Sequence, residues 1–172
     1  VVAAGAILNY LLITEHRNIG HINGLSRIDR DQYVWLDKFT VRNLELLNSM
    51  SEGGKSLLDI LDRTTSPMGG RLLRRWISLP LVNRAKINDR LDVVEFLLLN
   101  KPVAEELKAG ISNVGDLERL ISKVAAIRVN PREMVQLKHS LHAVARVKES
   151  AAMAGNAILT RVADQLNPCA DI

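Results

Sequence analysis

A single cysteine, Cys169, in 172 residues rules out an internal disulfide and a thiolate metal cluster, and fits a reduced, cytoplasmic setting. Aromatic residues are almost as scarce. Tyr10, Tyr33, Trp35, Phe39, Trp76 and Phe96 complete the set, so the core must be built from Leu, Ile, Val and Ala, a composition suited to helix-on-helix packing. There is no signal-peptide pattern at the start. The apolar run 3–13 is too short to cross a bilayer and contains Asn9, so no membrane partner is expected. The sequence opens Val-Val inside a helical pattern and stops soon after Asn167-Pro168, as a piece of something longer would.

Neither sign of charge dominates. A net charge of +4, spread along the chain, is ordinary for a soluble domain and does not by itself require nucleic acid. Catalytic arrangements are also missing. Gly53-Gly54-Lys55-Ser56 looks like the end of a phosphate-binding loop, but the position that needs a glycine five residues earlier is Ser49, and no strand precedes it. His139 and His142 share a helix face without a third ligand pattern, and His16 and His21 flank a turn. The carboxylate pairs read as helix-end and salt-bridge residues, with Asp59 facing Arg63 and Asp116 facing Arg119. No Gly-x-Ser-x-Gly is present and Cys169 has no visible His partner, so no catalytic, cofactor-binding or metal residue is expected.

What is present is helical punctuation. A first helix is expected over 3–15, followed by an interruption at 20–24. Tyr33-Val34-Trp35-Leu36 favours strand, and Asp29 to Asp31 suits a turn, which suggests a small β-hairpin near residues 25–37. Thr40 is the expected cap of a short helix through Leu46, and 49–55 a loop. Ser56 caps the next helix. Ser66-Pro67 opens another, with Ser as cap and Pro in the first turn, and Pro80 ends it. At about 100° per residue, Met68, Leu72, Leu73, Trp76 and Ile77 share one side of that helix, while Arg71, Arg74 and Arg75 share the other. Trp76 is central on the apolar arc and is expected to be buried, so Trp76→Ala should cost roughly 3–5 kcal/mol. Gly69 and Gly70 suggest close approach of another backbone. The basic stripe reads either as a phosphate or acidic-partner contact or as a solvated, ion-paired face. Further helices start at Asn83, Lys101-Pro102 and Asp116, the last with Leu117, Leu120, Ile121, Val124 and Ile127 on one stripe. Asn130-Pro131-Arg132-Glu133 is a capping box, and the helix behind it has apolar residues at 134, 137, 141 and 144. It weakens over 150–156, and helix resumes over 158–166.

Several blocks, in order, resemble the core domain of the MutS family. They are Arg42-Asn43-Leu44-Glu45-Leu46, then 56–64, then Ser66-Pro67-Met68-Gly69-Gly70-Arg71-Leu72-Leu73-Arg74-Arg75-Trp76 with Leu79-Pro80-Leu81. Val114-Gly115-Asp116-Leu117-Glu118-Arg119-Leu120 and Asn130-Pro131-Arg132-Glu133 are similar to later core motifs, and the helix beginning Ala3-Ala4-Gly5-Ala6 fits too. The resemblance implies a mainly α, multi-helical orthogonal or bundle core over 1–128, leading into long lever helices from 129–172 within one structural unit. It implies a structural and allosteric coupling role in a dimeric DNA mismatch repair ATPase that binds mismatched duplex DNA and recruits a MutL-type partner. ATP and Mg would belong to the full-length protein, which would be cytoplasmic and nucleoid-associated when on DNA. The Phe-x-Glu mismatch-reading motif, a true phosphate-binding loop, the clamp and the returning half of the lever are not in this sequence, so mismatch reading and ATP hydrolysis fall on no residue here. The alternative is a stand-alone helical nucleic-acid-binding domain using basic helix faces such as that of Arg71, Arg74 and Arg75.

Overall fold

The computed structural model describes residues 2–14, 24 and 29–169, and these are mainly helical. Their helices are α1 (Val2–Ile13), α2 (Lys38–Asn43), α3 (Leu57–Leu61), α4 (Pro67–Ser78), α5 (Arg84–Leu99), α6 (Lys101–Ser112), α7 (Leu117–Ala125), α8 (Pro131–Met153) and α9 (Ala157–Gln165). Glu15, His16, His21 and most of the interruption at 20–24 lie outside the described residues.

Local chemistry sets most helix starts. A helix leaves its first N–H groups without intrahelical partners, and a side-chain oxygen at the cap satisfies one of them. Ser56, Ser66, Asn83, Asp116, Asn130 and Asn156 all do this. At Ser56 and Asn130 the box closes in both directions, because Asp59 and Glu133 reach back to the cap N–H. The expected cap at Thr40 is a correction. Asp37 caps α2, accepting from Thr40 N at 2.7 Å, and α2 ends at Asn43 rather than running through Leu46. Asp37 stands in extended backbone, where a cap belongs, and Thr40 is the residue whose N–H it satisfies.

The hairpin near residues 25–37 is the second correction. Residues 25–28 lie outside the described set, and the rest hold a single 3-10 turn, Arg30–Gln32, with no strand among the described residues. The extended residues pair elsewhere. Val34 N donates to Pro80 O at 2.7 Å and Val82 N to Gln32 O at 3.1 Å, around one antiparallel bridge between Tyr33 and Leu81. Pro80 has no N–H to give, which keeps this ladder from lengthening.

The tightest packing lies in the second half, where α6, α8 and α9 meet around Leu107, Ala151 and Ala163, flanked by Leu97, Val103 and Leu159. The buried face of α8 is Leu137, Ser140, Ala143 and Ala151, which departs from the heptad-like spacing read from the sequence. Met134 is 45% exposed, and Leu141 and Val144 are half-buried. Small residues win the buried side because they let neighbours come close. A Cβ added to Gly110 of α6 would sit 2.8 Å from a Val147 methyl, and one on Gly115 would sit 2.8 Å from Ser140 Oγ. In the native chain Gly115 N donates to Ser140 Oγ at 3.1 Å, while that hydroxyl donates to Gln136 O at 2.9 Å. α8 runs without a break to Met153, past the weakening expected from residue 150, and Gly155 in left-handed backbone (φ 76°) turns the chain back into α9. Lys148 Nζ then donates to Leu166 O at 2.8 Å, fastening the return.

Asn130→Ala removes one half of the box at the start of α8. Chemical denaturation should show a loss of about 1 kcal/mol, and an unchanged midpoint would remove the cap from the account.

Candidate functional site

The residues singled out on α4 owe their placement to its capped start. Ser66 Oγ accepts from Gly69 N at 3.1 Å, and Pro67 occupies the first turn. The close approach expected at the two glycines is made by side chains of the preceding loop and not by another backbone. A Cβ on Gly69 would meet Thr64 Cβ at 3.4 Å, and one on Gly70 would meet Thr64 Oγ1 at 3.3 Å and Asp62 Oδ2 at 3.4 Å. Asp62 itself accepts from Thr64 N and Thr64 Oγ1, at 3.0 and 2.7 Å, so this loop has a fixed shape under the helix.

Arg71 leaves the basic stripe to bridge two helices. Its guanidinium holds both carboxylate oxygens of Asp116, Nη1 at 3.0 Å and Nη2 at 2.6 Å, and its Nε donates to Glu118 at 2.9 Å. A planar fork matched to a carboxylate is a geometry that Lys cannot copy. Asp116 simultaneously caps α7, accepting from Arg119 N at 3.2 Å. So the carboxylate expected to face Arg119 meets only its backbone there, and the side chain it pairs with is Arg71. Asp59 is likewise occupied by the N–H and hydroxyl of Ser56, at 2.9 and 2.7 Å, rather than by Arg63. Arg74 and Arg75 remain exposed.

Trp76 corrects the sequence expectation of burial. It is 40% exposed, and the Arg90 guanidinium of α5 stacks over its ring at 3.5 Å from the centroid. The apolar arc is open on one side, with Leu72 47% exposed, so α4 has no buried residue at all. Burial of Arg90 pushes its pKa down, partly offset by Tyr33 nearby. Nothing in the spacing of the sequence links Arg90 to Trp76. Fourteen positions separate them, and only the turn through Pro80 brings the two helices together.

The other motif blocks also have structural work. Arg42, Asn43 and Leu44 close α2, exposed, and Glu45 takes left-handed backbone (φ 48°). The Glu45 carboxylate accepts from Met50 N at 2.6 Å, and the carbonyls of Glu45 and Leu46 accept from Leu57 and Leu58 N at 2.9 and 3.0 Å. The block therefore seats the start of α3 and encloses Ser56, which is fully buried. This also disposes of the phosphate-loop resemblance, since the Ser56 hydroxyl is committed to Asp59. Leu117 is half-buried beside the exposed Glu118 and Arg119, and Pro131 and Arg132 lie exposed in the first turn of α8. Glu133 receives Lys123 from α7 as well as the Asn130 N–H, which joins α7 to α8. Among the described residues, no three of His, Cys, Asp and Glu gather as a metal site would require. His139 and His142 are exposed.

The carboxylates respond as their partners dictate. The guanidinium of Arg71 holds Asp116 below the usual carboxylate range, and Lys123 together with the Asn130 N–H does the same for Glu133. Both groups therefore titrate lower in the folded than in the unfolded chain. Their stabilisation is complete above the unfolded value of about 4 and is lost as pH falls through the folded values. The melting temperature should hold steady from about pH 7 to pH 5 and drop below about pH 4, with a shallower drop in Asp116→Asn. Equal slopes in the two proteins would deny Asp116 this role. For Trp76→Ala the exposure lowers the expected cost to about 1–2 kcal/mol, read by chemical denaturation. A loss above about 3 kcal/mol would mean that the ring is buried in solution.

Residues 39–168 match the family described as MutS domain III. The chain is 53% identical over all 172 residues to the DNA mismatch repair protein MutS of Bacteroides thetaiotaomicron, and 52% identical over 172 residues to that of Phocaeicola vulgatus. It is 48% identical over 172 residues to that of Porphyromonas gingivalis. All of the chain is covered in each case, and it spans about a fifth of the length of these curated relatives (20%, 20% and 19%).

Proposed function

The chain belongs to the MutS domain III family, and we propose that it is the structural and allosteric coupling segment of a DNA mismatch repair protein, with no catalytic site in its own residues. The observation that carries this reading is the way its motif residues are spent. Arg71, Asp116, Glu118, Asn130 and Glu133 hold helices to one another and to their caps, and the two carboxylates that border the cavity between α7 and α8, Asp116 and Glu133, are already engaged by Arg71 and Lys123. α8, at 23 residues, supplies a rod of about 34 Å. Its packing against α6 supports a continuous link between the expected core, 1–128, and the expected start of the lever, 129–172. Close-packed interiors deform little, so a displacement at one end of such a body reaches the other.

In this reading the full-length protein supplies ATP and Mg binding, grips mismatched duplex DNA as a homodimer, recruits a MutL-type partner and works in the cytoplasm at the nucleoid. The relatives' shared name supports the mismatch repair part. No described helix is long and apolar enough to cross a membrane. The alternative, a stand-alone nucleic-acid-binding domain, draws on the exposure of Arg74 and Arg75.

Replacing the matching fifth of the Bacteroides thetaiotaomicron protein by this chain tests the proposal. The chimaera should keep mismatch-dependent ATP turnover, and Arg71→Glu within it should weaken that dependence while basal turnover persists. The 172-residue chain alone should neither hydrolyse ATP nor distinguish mismatched from matched duplex. Hydrolysis by the chain alone would overturn the reading. Tight binding whose logarithm falls steeply with log salt would favour the alternative.

A further inference from the structure

Extensive helix packing falls into two groups, α3 with α4, and α5 through α9 with one another. Neither α4 nor α5, which face each other across Leu79 to Asn83, carries a buried side chain. The junction between the groups thus lacks an apolar core residue on either of those helices, whereas α6 to α9 each bury at least one. Two backbone bonds, Val34 N to Pro80 O and Val82 N to Gln32 O, seat residues 32–34 on the loop between the helices, and the side chains that cross the junction are cationic. Arg71 reaches Asp116 and Glu118, Arg90 stacks on Trp76, and Lys86 Nζ donates to Gln32 Oε1 at 3.0 Å. These side chains sit at or near solvent. The Arg71 pair in particular is open, its side chain 48% exposed against 21% for Asp116 and 67% for Glu118.

Contacts of this kind differ from a packed core in one respect. An exposed ion pair is screened by salt and contributes little to cohesion, while its fork geometry still fixes direction. A joint held this way has one preferred closed position and a low cost of opening. The loop 79–83 supplies the pivot, since Pro80 interrupts the helix and Asn83 starts the next with its own cap.

We propose that the α4–α5 junction is a hinge latched by Arg71 and Arg90, about which α3 and α4 swing together against α5–α9. The hinge deepens the coupling reading, because it locates where the segment bends. Its test needs neither DNA nor nucleotide, so it stands or falls separately from that reading.

The test uses spin-label distances in the full 172-residue chain with Cys169→Ser as background. One label pair spans the junction, through Arg75→Cys on α4 and His139→Cys on α8. A second pair lies within the packed group, through Lys108→Cys on α6 and His139→Cys. All three positions are exposed. At low salt both pairs should give single narrow distances. In Arg71→Gln the spanning pair should gain a second, displaced population, several times that of the parent, while the α6–α8 pair stays narrow. Arg71→Lys should fall between the two. Raising salt to about 1 M, where screening acts within a few ångströms, should produce the same displaced population with Arg71 intact. An unchanged spanning distance in Arg71→Gln and at high salt would overturn the hinge. So would broadening of both pairs together, which would mean that the chain loosens as one body.

Discussion

The rest of the structure depends on how closely the loop before α7 can approach α8. Gly115 has no side chain, so its N–H reaches the buried hydroxyl of Ser140, and the next residue, Asp116, is thereby held at a fixed height beside α8. From that position Asp116 does two things, capping α7 through Arg119 N and receiving the fork of Arg71. The placement of α4 is therefore inherited, step by step, from a contact between a glycine and a serine on another helix. A methyl group on Gly115 would push against the hydroxyl and move every later member of that series.

Two kinds of cohesion coexist in the chain. Between α6, α8 and α9 it comes from removing Leu107, Ala151 and Ala163 from water, a non-directional effect that tolerates salt and grows with contact area. Between α4 and its neighbours it comes from charged groups in set geometries, which give direction at small net gain. The motif residues sit at these contacts, which is why they resemble a functional cluster in the sequence while serving as joints in the fold.

Helix starts were readable because capping is a local matter. Ser56, Ser66, Asn83, Asp116 and Asn130 stand within three residues of the N–H groups they satisfy, and a short window of sequence contains the whole interaction. The failures are non-local. The strand-forming residues 33–36 suggest a hairpin with their near neighbours, but Val34 pairs with Pro80, a partner supplied by the turn after α4. Trp76 lies at the middle of an apolar arc, and periodicity correctly gives the arc but not what covers it; a guanidinium from α5 lies over the ring. On α8 the spacing favours the large residues at 134, 137, 141 and 144, although the buried face is Leu137 with Ser140, Ala143 and Ala151. Small residues carry a weak hydropathy signal, and their value appears only when a second helix arrives. The partnership of Arg71 with Asp116 was visible only as a general possibility of ion pairing, because the pair is 45 positions apart.

The unbroken run of α8 has a consequence for how such a sequence can drift. Its capping box at Asn130 engages α7 through Lys123 and Glu133, and its far end packs α9 around Ala151, so one rod serves two customers in a fixed angular phase. Inserting or deleting one residue between them turns one docking face by about 100° relative to the other. Length changes inside the rod are consequently confined to steps of about seven residues, two full turns.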